Sequence, residues 1–346
     1  FTSGSTGTPK GVVVTHRGLA DTAESQRLRA TDLDVSRVLA VSSTTFDASM
    51  GELLTALGTA GTLVISPPGV QAGPELARVI RDAAVTTVVV TPRVLDTVPV
   101  DGLDCVRVVV VGGEDLPPHV VDRWAPGRRL HNDYGPSETT VWATATTPLR
   151  AGAPVTIGHP VRGAAGEVLA DDLRPVPDGT VGELYVTGSG VARGYVGDPA
   201  QTAARFVAAP GGVRRYRTGD LTRWTADVSD NAQGPALTFH GRTDHQLSVR
   251  GVRVEPGEIE AAVRAHEGVR DVAVVMHRDE AGVDRLVAHV VGDVVPAEVR
   301  ATAARSIADV KEMRRAMVRL DGLRDSWTAK AELALSKGRE DLAKAA

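Results

Sequence analysis

The chain has 346 residues, 42% of them hydrophobic and 24% charged, with 39 Lys and Arg against 43 Asp and Glu for a net charge of −4. These values fit a soluble globular protein of two domains, or of one large and one small. They exclude a nucleic-acid partner, because the basic residues are scattered and outnumbered.

The chain opens on Phe1-Thr2-Ser3-Gly4-Ser5-Thr6-Gly7-Thr8-Pro9-Lys10-Gly11, followed by the apolar run Val12-Val13-Val14. Glycines let backbone N–H groups approach an anion, hydroxyls add donors and Lys10 adds charge. Such a loop suits the β- and γ-phosphates of a nucleotide, although no GxxxxGK[ST] pattern is present. Phe1 falls inside what reads as a motif, so the chain is expected to be a piece of something longer. Residues 12–132 then alternate apolar runs with helical patterns. Strands are predicted at 38–41, 62–65, 87–90, 107–111 and 129–131, with helices at about 48–58, 74–84 and 117–124. Nearly all-apolar strands between helices imply a mostly parallel sheet covered on both faces. Ligands of such sheets collect where strands end, and Gly112-Gly113-Glu114 and Asp133-Tyr134-Gly135-Pro136 both follow strands. The single cysteine, Cys105, lies in the run Cys105 to Val111 and reads as a strand thiol. It excludes an internal disulfide and fits a reducing, cytoplasmic setting. From 148 to 243, Gly and Pro punctuate β-rich runs, including 182–188 and 237–240, which read as antiparallel strands or a small barrel. After Asp244, two strands over 247–254, a helix opening at Pro256, strands at 271–276 and 285–291, and an Ala/Arg-rich tail read as a small α+β domain. No apolar run reaches membrane-spanning length and no signal peptide opens the chain, so no membrane partner is expected. The histidines, His16 and His131 among them, show no metal-ligand spacing.

Six segments line up in order: residues 1–11; Phe46-Asp47-Ala48-Ser49; Asn132-Asp133-Tyr134-Gly135-Pro136-Ser137-Glu138; Gly182-Glu183-Leu184 running on through Gly188 to Tyr195; Tyr216-Arg217-Thr218-Gly219-Asp220; and Gly241-Arg242-Thr243-Asp244 through Arg250-Gly251-Val252-Arg253 to Glu260. Together they resemble the core motifs of the adenylate-forming superfamily, most closely the amino-acid adenylation domains of nonribosomal peptide synthetases. The resemblance spans nearly the whole chain and implies that a large N-terminal piece of the core is absent. It implies a layered α/β core over 1–243, divided into an α/β part (1–147) and a β-barrel-like part (148–243). A mobile α+β subdomain (244–346) would swing about Asp244. The implied activity joins an amino acid to ATP with release of pyrophosphate, then passes the acyl group to a phosphopantetheine thiol on a carrier domain. Neighbouring synthetase domains and an MbtH-like protein are implied partners.

The same resemblance assigns roles to residues. Thr2, Ser3, Gly4, Ser5, Thr6, Gly7 and Lys10 match the phosphate cradle. Glu138 matches the carboxylate for Mg²⁺, with the Ser137 hydroxyl beside it. Tyr134 matches the adenine-stacking ring, Asn132 and Gly113 the adenine edge, and Asp220 the ribose clamp with Arg242 nearby, while Glu114 and Gly135 join this nucleotide set. Asp47 matches the partner of the substrate ammonium and separates the amino-acid branch from acyl and aryl branches. Ala48, Gly51, Val89, Val110, Gly112, Asp133, Val141 and Trp142 match the side-chain pocket. Asp133 is the only charge among them, which points to a fairly large side chain, cationic or hydrogen-bonding, because an unpaired buried Asp is costly; the alternative turns Asp133 away from the pocket. Lys330 takes the place of the family's catalytic lysine by spacing, Lys337 being the runner-up, and Gly251 would guide the phosphopantetheine arm. The motif around Lys330 departs from the family's pattern, with Ala329 for Gly, Glu332 for Asp and Leu333 for Arg. That departure keeps two rivals open: an acyl- or aryl-CoA ligase of the same superfamily, and an inactive relic serving as a docking module.

Overall fold

β-branched runs with no polar interruption become the buried strands of a central sheet. The computed structural model describes residues 2, 10–29, 37–225, 234–244, 247–249, 252–254, 256–278 and 284–304. Its first part runs α1 (His16–Arg29), β1 (Arg37–Ala40), α2 (Ala48–Gly58), β2 (Thr62–Ile65), α3 (Gly73–Asp82), β3 (Thr87–Val90) and α4 (Pro92–Thr97). It continues through β4 (Val108–Gly112), α5 (Pro118–Trp124), β5 (Arg129–Tyr134), β6 (Thr144–Ala145) and β7 (His159–Pro160). The strands lie in the order β2-β1-β3-β4-β5-β6-β7. The first five run parallel, and β6 and β7 are antiparallel additions.

The register gives the two faces different jobs. Val88, Val90, Val109, Val111 and Leu130 face a dry core made with Leu76 and Ile80 of α3, Leu95 of α4 and Trp124 of α5. The alternate residues point the other way. Val89 pairs with Val110, Val110 with His131 and Gly112 with Asp133, so this second face turns polar toward the end of β5. Here lie α1 and α2, and Trp142 rests against Gly51 of α2. Helix α1 escaped prediction for a physical reason. Its buried residues are Gly18, Thr22, Ser25 and Gln26, so it carries no apolar stripe to recognise.

The β-rich part contains β8 (Ala164–Leu169), β9 (Gly182–Gly188), α6 (Pro199–Arg205), β10 (Phe206–Ala208), β11 (Arg214–Thr225) and β12 (Ala236–Arg242). Its antiparallel order is β10-β11-β9-β8, with β12 also on β11. Among the described strands, β12 pairs with β11 over Asp220 to Thr225. The hairpin β13 (Leu247–Val249) and β14 (Val252–Val254) follows, then α7 (Pro256–Arg264) and the antiparallel pair β15 (Val269–Arg278) and β16 (Asp284–Gly292). Residues 296–304 are helical. Ile259, Val263, Val272, Val274 and Val299 form a separate core, as an α+β unit requires. No helix among the described residues is long and apolar enough to cross a membrane. Ser3 to Gly7, Gly251, Lys330 and Lys337 lie outside the described residues.

Candidate active site

Short backbone ladders assemble the first part of the site. Thr2 and Lys10 exchange N–H···O bonds of 2.9 and 2.7 Å, so the two flanks of the expected phosphate loop lie side by side. Residues 11–13 then run along 193–196 through Val13 N–H to Gly194 O (2.9 Å), Arg193 N–H to Val13 O (2.8 Å) and Val196 N–H to Gly11 O (2.8 Å). This ladder sets Lys10 Nζ 5.1 Å from the centroid of the Tyr195 ring and 2.6 Å from Gln201 Oε1. Tyr195 donates its hydroxyl to Glu138 Oε1 at 2.7 Å. Burial, with the neighbouring Glu138 charge, pushes the Tyr195 phenol up, so it stays a neutral donor. Glu138 itself is only 1% exposed.

One residue before Glu138, Ser137 donates its hydroxyl to Asp47 Oδ2. Asp47 stands at the start of α2. The loop before it is fixed by Glu52, whose Oε1 accepts from the N–H groups of Val41 (3.1 Å) and Ser42 (2.9 Å). Burial raises the Asp47 pKa against the pull of the Ser137 hydroxyl, and the nearby Glu138 charge raises it further. Ser137, matched to the metal beside Glu138, gives its hydroxyl proton to Asp47 and keeps oxygen lone pairs that a cation can use. The described residues contain no group of three His, Cys, Asp or Glu able to hold a metal. A single buried carboxylate fits Mg²⁺ carried in on phosphate oxygens, not an ion caged by protein alone.

A second cluster sits at the end of β5. Tyr134 donates its hydroxyl to Asp220 Oδ2, and Arg242 donates to Asp220 Oδ1. Burial and the Asp220 charge hold the Tyr134 phenol well above its ordinary pKa. Asn132 is 5% exposed and donates Nδ2 to the Thr156 carbonyl at 2.8 Å. Gly113 has φ +81° with open space where a side chain would begin. At Gly135 a Cβ would lie 2.5 Å from Val141 O, so only glycine fits. Glu114, matched to the nucleotide set, accepts the Arg93 N–H at 3.2 Å, at the start of α4.

Arg242 also grips Asp244 at 2.7 and 3.1 Å, and Arg205 holds the same carboxylate at 3.0 Å. Burial alone would raise the Asp244 pKa, but the two guanidiniums outweigh it and hold it at about 2. The folded value lies below the unfolded one of about 3.9, so this latch stabilises fully above that pH. Its contribution disappears as the pH falls toward about 2. Asp244→Asn is therefore expected to lower the melting temperature at neutral pH. The gap from wild type should close on acidification, which thermal melts across an acid pH series will show.

Several of the residues matched to the side-chain pocket lie together. Val89, Val110, Val141 and Trp142 form one buried cluster with Val108. A Cβ at Gly51 would lie 2.2 Å from the Trp142 ring, so glycine makes room for the indole. Thr140 and Val141 both have positive φ, 61° and 70°, a strained arrangement for β-branched residues. The Thr22 hydroxyl of α1 holds it by donating to Thr140 O (3.1 Å), and the Thr140 hydroxyl donates to Gly190 O (2.6 Å). Asp133 is 2% exposed but is not unpaired. Arg29, the last residue of α1, reaches its Oδ2 at 2.5 Å. The reason given above for a cationic substrate side chain therefore fails, because the protein supplies the cation. Burial raises the Asp133 pKa, and Arg29 opposes it. Next along the face, His131 is held neutral at about 3 by burial and by Arg29. Its Nδ1 bonds the Thr146 carbonyl at 2.8 Å.

Arg29, Tyr195, Gln201 and Arg205 were missed as site residues in the sequence. Tyr195 offered the one usable signal, an aromatic closing the turn Arg193-Gly194-Tyr195. Nothing in the sequence ties Arg29 to a carboxylate 104 positions later.

The chain matches the family described as AMP-binding enzyme over residues 1–196 and its C-terminal domain over 258–330. It is 48% identical over 304 residues to CymA of Salinispora arenicola, named as a probable nonribosomal peptide synthetase, covering 86% of this chain and 4% of that protein. Among solved structures it resembles NpsA-ThdA of Klebsiella oxytoca, a fused adenylation–PCP di-domain (TM-score 0.73, 30% identity, 88% of this chain and 61% of that one). It also resembles the Vibrio cholerae adenylation domain AlmE in complex with glycyl-adenosine-5'-phosphate (TM-score 0.76, 27% identity, 88% and 60%). The chain thus spans a small fraction of the synthetase and about three fifths of each solved chain.

Proposed function

The chain belongs to the AMP-binding enzyme family, and from that premise we propose that it activates an amino acid as its adenylate within a nonribosomal peptide synthetase. One observation carries the reading. Lys10, Tyr195, Glu138, Ser137 and Asp47 form a continuous run of contacts, although they are scattered over the sequence. That run joins a triphosphate cradle to an ammonium partner.

Each residue then has a task. Lys10 offers charge to the phosphates, and Tyr134, Asp220 and Arg242 offer a ring, a carboxylate and a guanidinium to the nucleoside. The remaining oxygen of the Asn132 amide can accept from an adenine amino group. Asp47 pairs with the substrate ammonium and so aims the substrate carboxylate. A carboxylate oxygen bonds the α-phosphorus of ATP as its bond to the β-phosphate oxygen breaks and pyrophosphate leaves. Mg²⁺ held by Glu138 would neutralise phosphate charge. Positioning and charge stabilisation supply the rate, with no side-chain nucleophile. Lys330 is the proposed contact to the reacting phosphate. Asp244 is the proposed boundary of a C-terminal part that swings to admit the carrier-protein phosphopantetheine thiol, which displaces AMP to form a thioester. Likeness to an adenylation–PCP di-domain supports the carrier partner.

ATP–pyrophosphate exchange on the full-length protein tests this. Exchange dependent on amino acids is expected. Exchange with fatty or aryl acids alone would make the chain an acyl or aryl ligase, and exchange with none of these acids would make it an inactive relic.

A further inference from the structure

We propose that Arg29 is a specificity-determining residue: its pair with Asp133 makes the amino-acid pocket electrically neutral and restricts it to substrates with uncharged side chains. The inference rests on the reading of the chain as an amino-acid adenylating enzyme and goes beyond it to the substrate class.

The register of the sheet carries the argument. Val110 and Gly112 of β4 lie two residues apart and so share a face. Asp133 of β5 stands opposite Gly112 on that face. A Cβ at Gly112 would come 2.4 Å from the Asp133 carbonyl oxygen and 3.9 Å from its Cβ. The carboxylate therefore borders the apolar cluster of Val89, Val110, Val141 and Trp142. Its side chain has no solvent exposure, and that of Arg29 has 12%. A carboxylate so enclosed needs a cation. Alone it would recruit one from the substrate, but Arg29 already fills the role from α1. The Arg29 carbonyl in turn accepts from Arg129 at 3.0 Å, which anchors the end of the helix. A cationic substrate side chain would find the carboxylate charge already met at Oδ2, with Oδ1 alone left without a hydrogen-bond partner, and a guanidinium beside it. An anionic one would meet Asp133. Neither like-charge approach is tolerated where water is excluded.

The test is ATP–pyrophosphate exchange by the full-length protein with leucine, valine and phenylalanine, with lysine and ornithine, and with glutamate. Wild type should exchange with the uncharged set and reject the others. Arg29→Leu frees Asp133 and should move the ratio of cationic to uncharged exchange by about tenfold or more. Asp133→Asn frees Arg29 and should move it toward glutamate. The double variant Arg29→Leu/Asp133→Asn has no buried charge left over and should return to the uncharged set. It also covers the case in which a single variant fails to fold. The proposal is overturned if wild type prefers a charged side chain. It is equally overturned if folded Arg29→Leu, or the double variant where the single does not fold, shows selectivity contrary to this pattern. Exchange with no amino acid at all would remove the adenylation reading itself, whereas an unmoved ratio over robust exchange removes only the role of Arg29.

Discussion

Asp47→Asn is expected to cut amino-acid-dependent pyrophosphate exchange by about 10²–10³-fold, the loss that follows from leaving a substrate ammonium without its enclosed partner. Asn preserves the shape of the side chain and an oxygen to accept the Ser137 hydroxyl, so the variant isolates the charge. The pH profile separates this from a structural defect. Burial and the nearby Glu138 raise the Asp47 pKa, so its carboxylate takes up a proton at a higher pH than an ordinary aspartate. Wild-type affinity for the amino acid should therefore fall early on acidification. The limb belonging to Asp47 should be missing in the variant. Stability moves in the opposite sense. An acid whose folded pKa is raised favours the fold while protonated and loses that contribution as the pH rises through the folded value. A neutral Asn at this place should thus leave the neutral-pH melting temperature unchanged or higher. A variant that exchanges as wild type does would remove Asp47 from the ammonium site, and one that loses activity only together with its melting transition would make the residue structural.

The middle of the sheet was legible in the sequence because β3 and β4 are nearly pure valine. Runs such as 87–90 and 108–111 admit no other buried element of that length, whereas 62–65 reads the same way but forms a partly exposed edge strand. Lys10 was legible from its hydroxyl- and glycine-rich loop, whereas Glu138, Tyr134, Asp220 and Arg242 stood out only through the resemblance of their segments to the family's motifs. What stayed hidden was pairing across the fold. Arg29 ends a helix that buries threonine, serine and glutamine, a pattern that periodicity does not detect. The carboxylate it neutralises lies on the far strand of a sheet whose register is invisible in one dimension. Ser137 shows the converse limit. Its type fits a metal ligand, yet type alone does not announce its bond to Asp47, which is set by where α2 begins. Residue type narrows the chemistry a side chain can do, and the fold decides which partner receives it.

Glu138→Gln is expected to lower kcat/KM for ATP by about 10²-fold, the scale of removing one preorganised charge from a water-excluded site. The isosteric amide keeps an oxygen facing the Tyr195 hydroxyl, so the 2.7 Å contact survives and only the carboxylate charge is lost. Tyr195 cannot replace that charge, because burial and the neighbouring carboxylate keep its phenol protonated. Tyr195→Phe makes the complementary cut. It preserves the ring on which Lys10 rests and removes the donor that orients Glu138, so a smaller loss of about tenfold is expected. Tyr195→Ala removes the ring as well and should add a second loss through Lys10. If Glu138 serves as the carboxylate for the ion on the phosphates, raising Mg²⁺ should recover part of the Tyr195→Phe loss and little of the Glu138→Gln loss, since a misaligned ligand still attracts the ion and a neutral amide barely does. Equal recovery in both variants would reduce Glu138 to a structural acceptor for Tyr195. The ordered series, with all three variants folded by their melting transitions, would instead show that the hydroxyl-rich loop and the end of β5 act on one nucleotide.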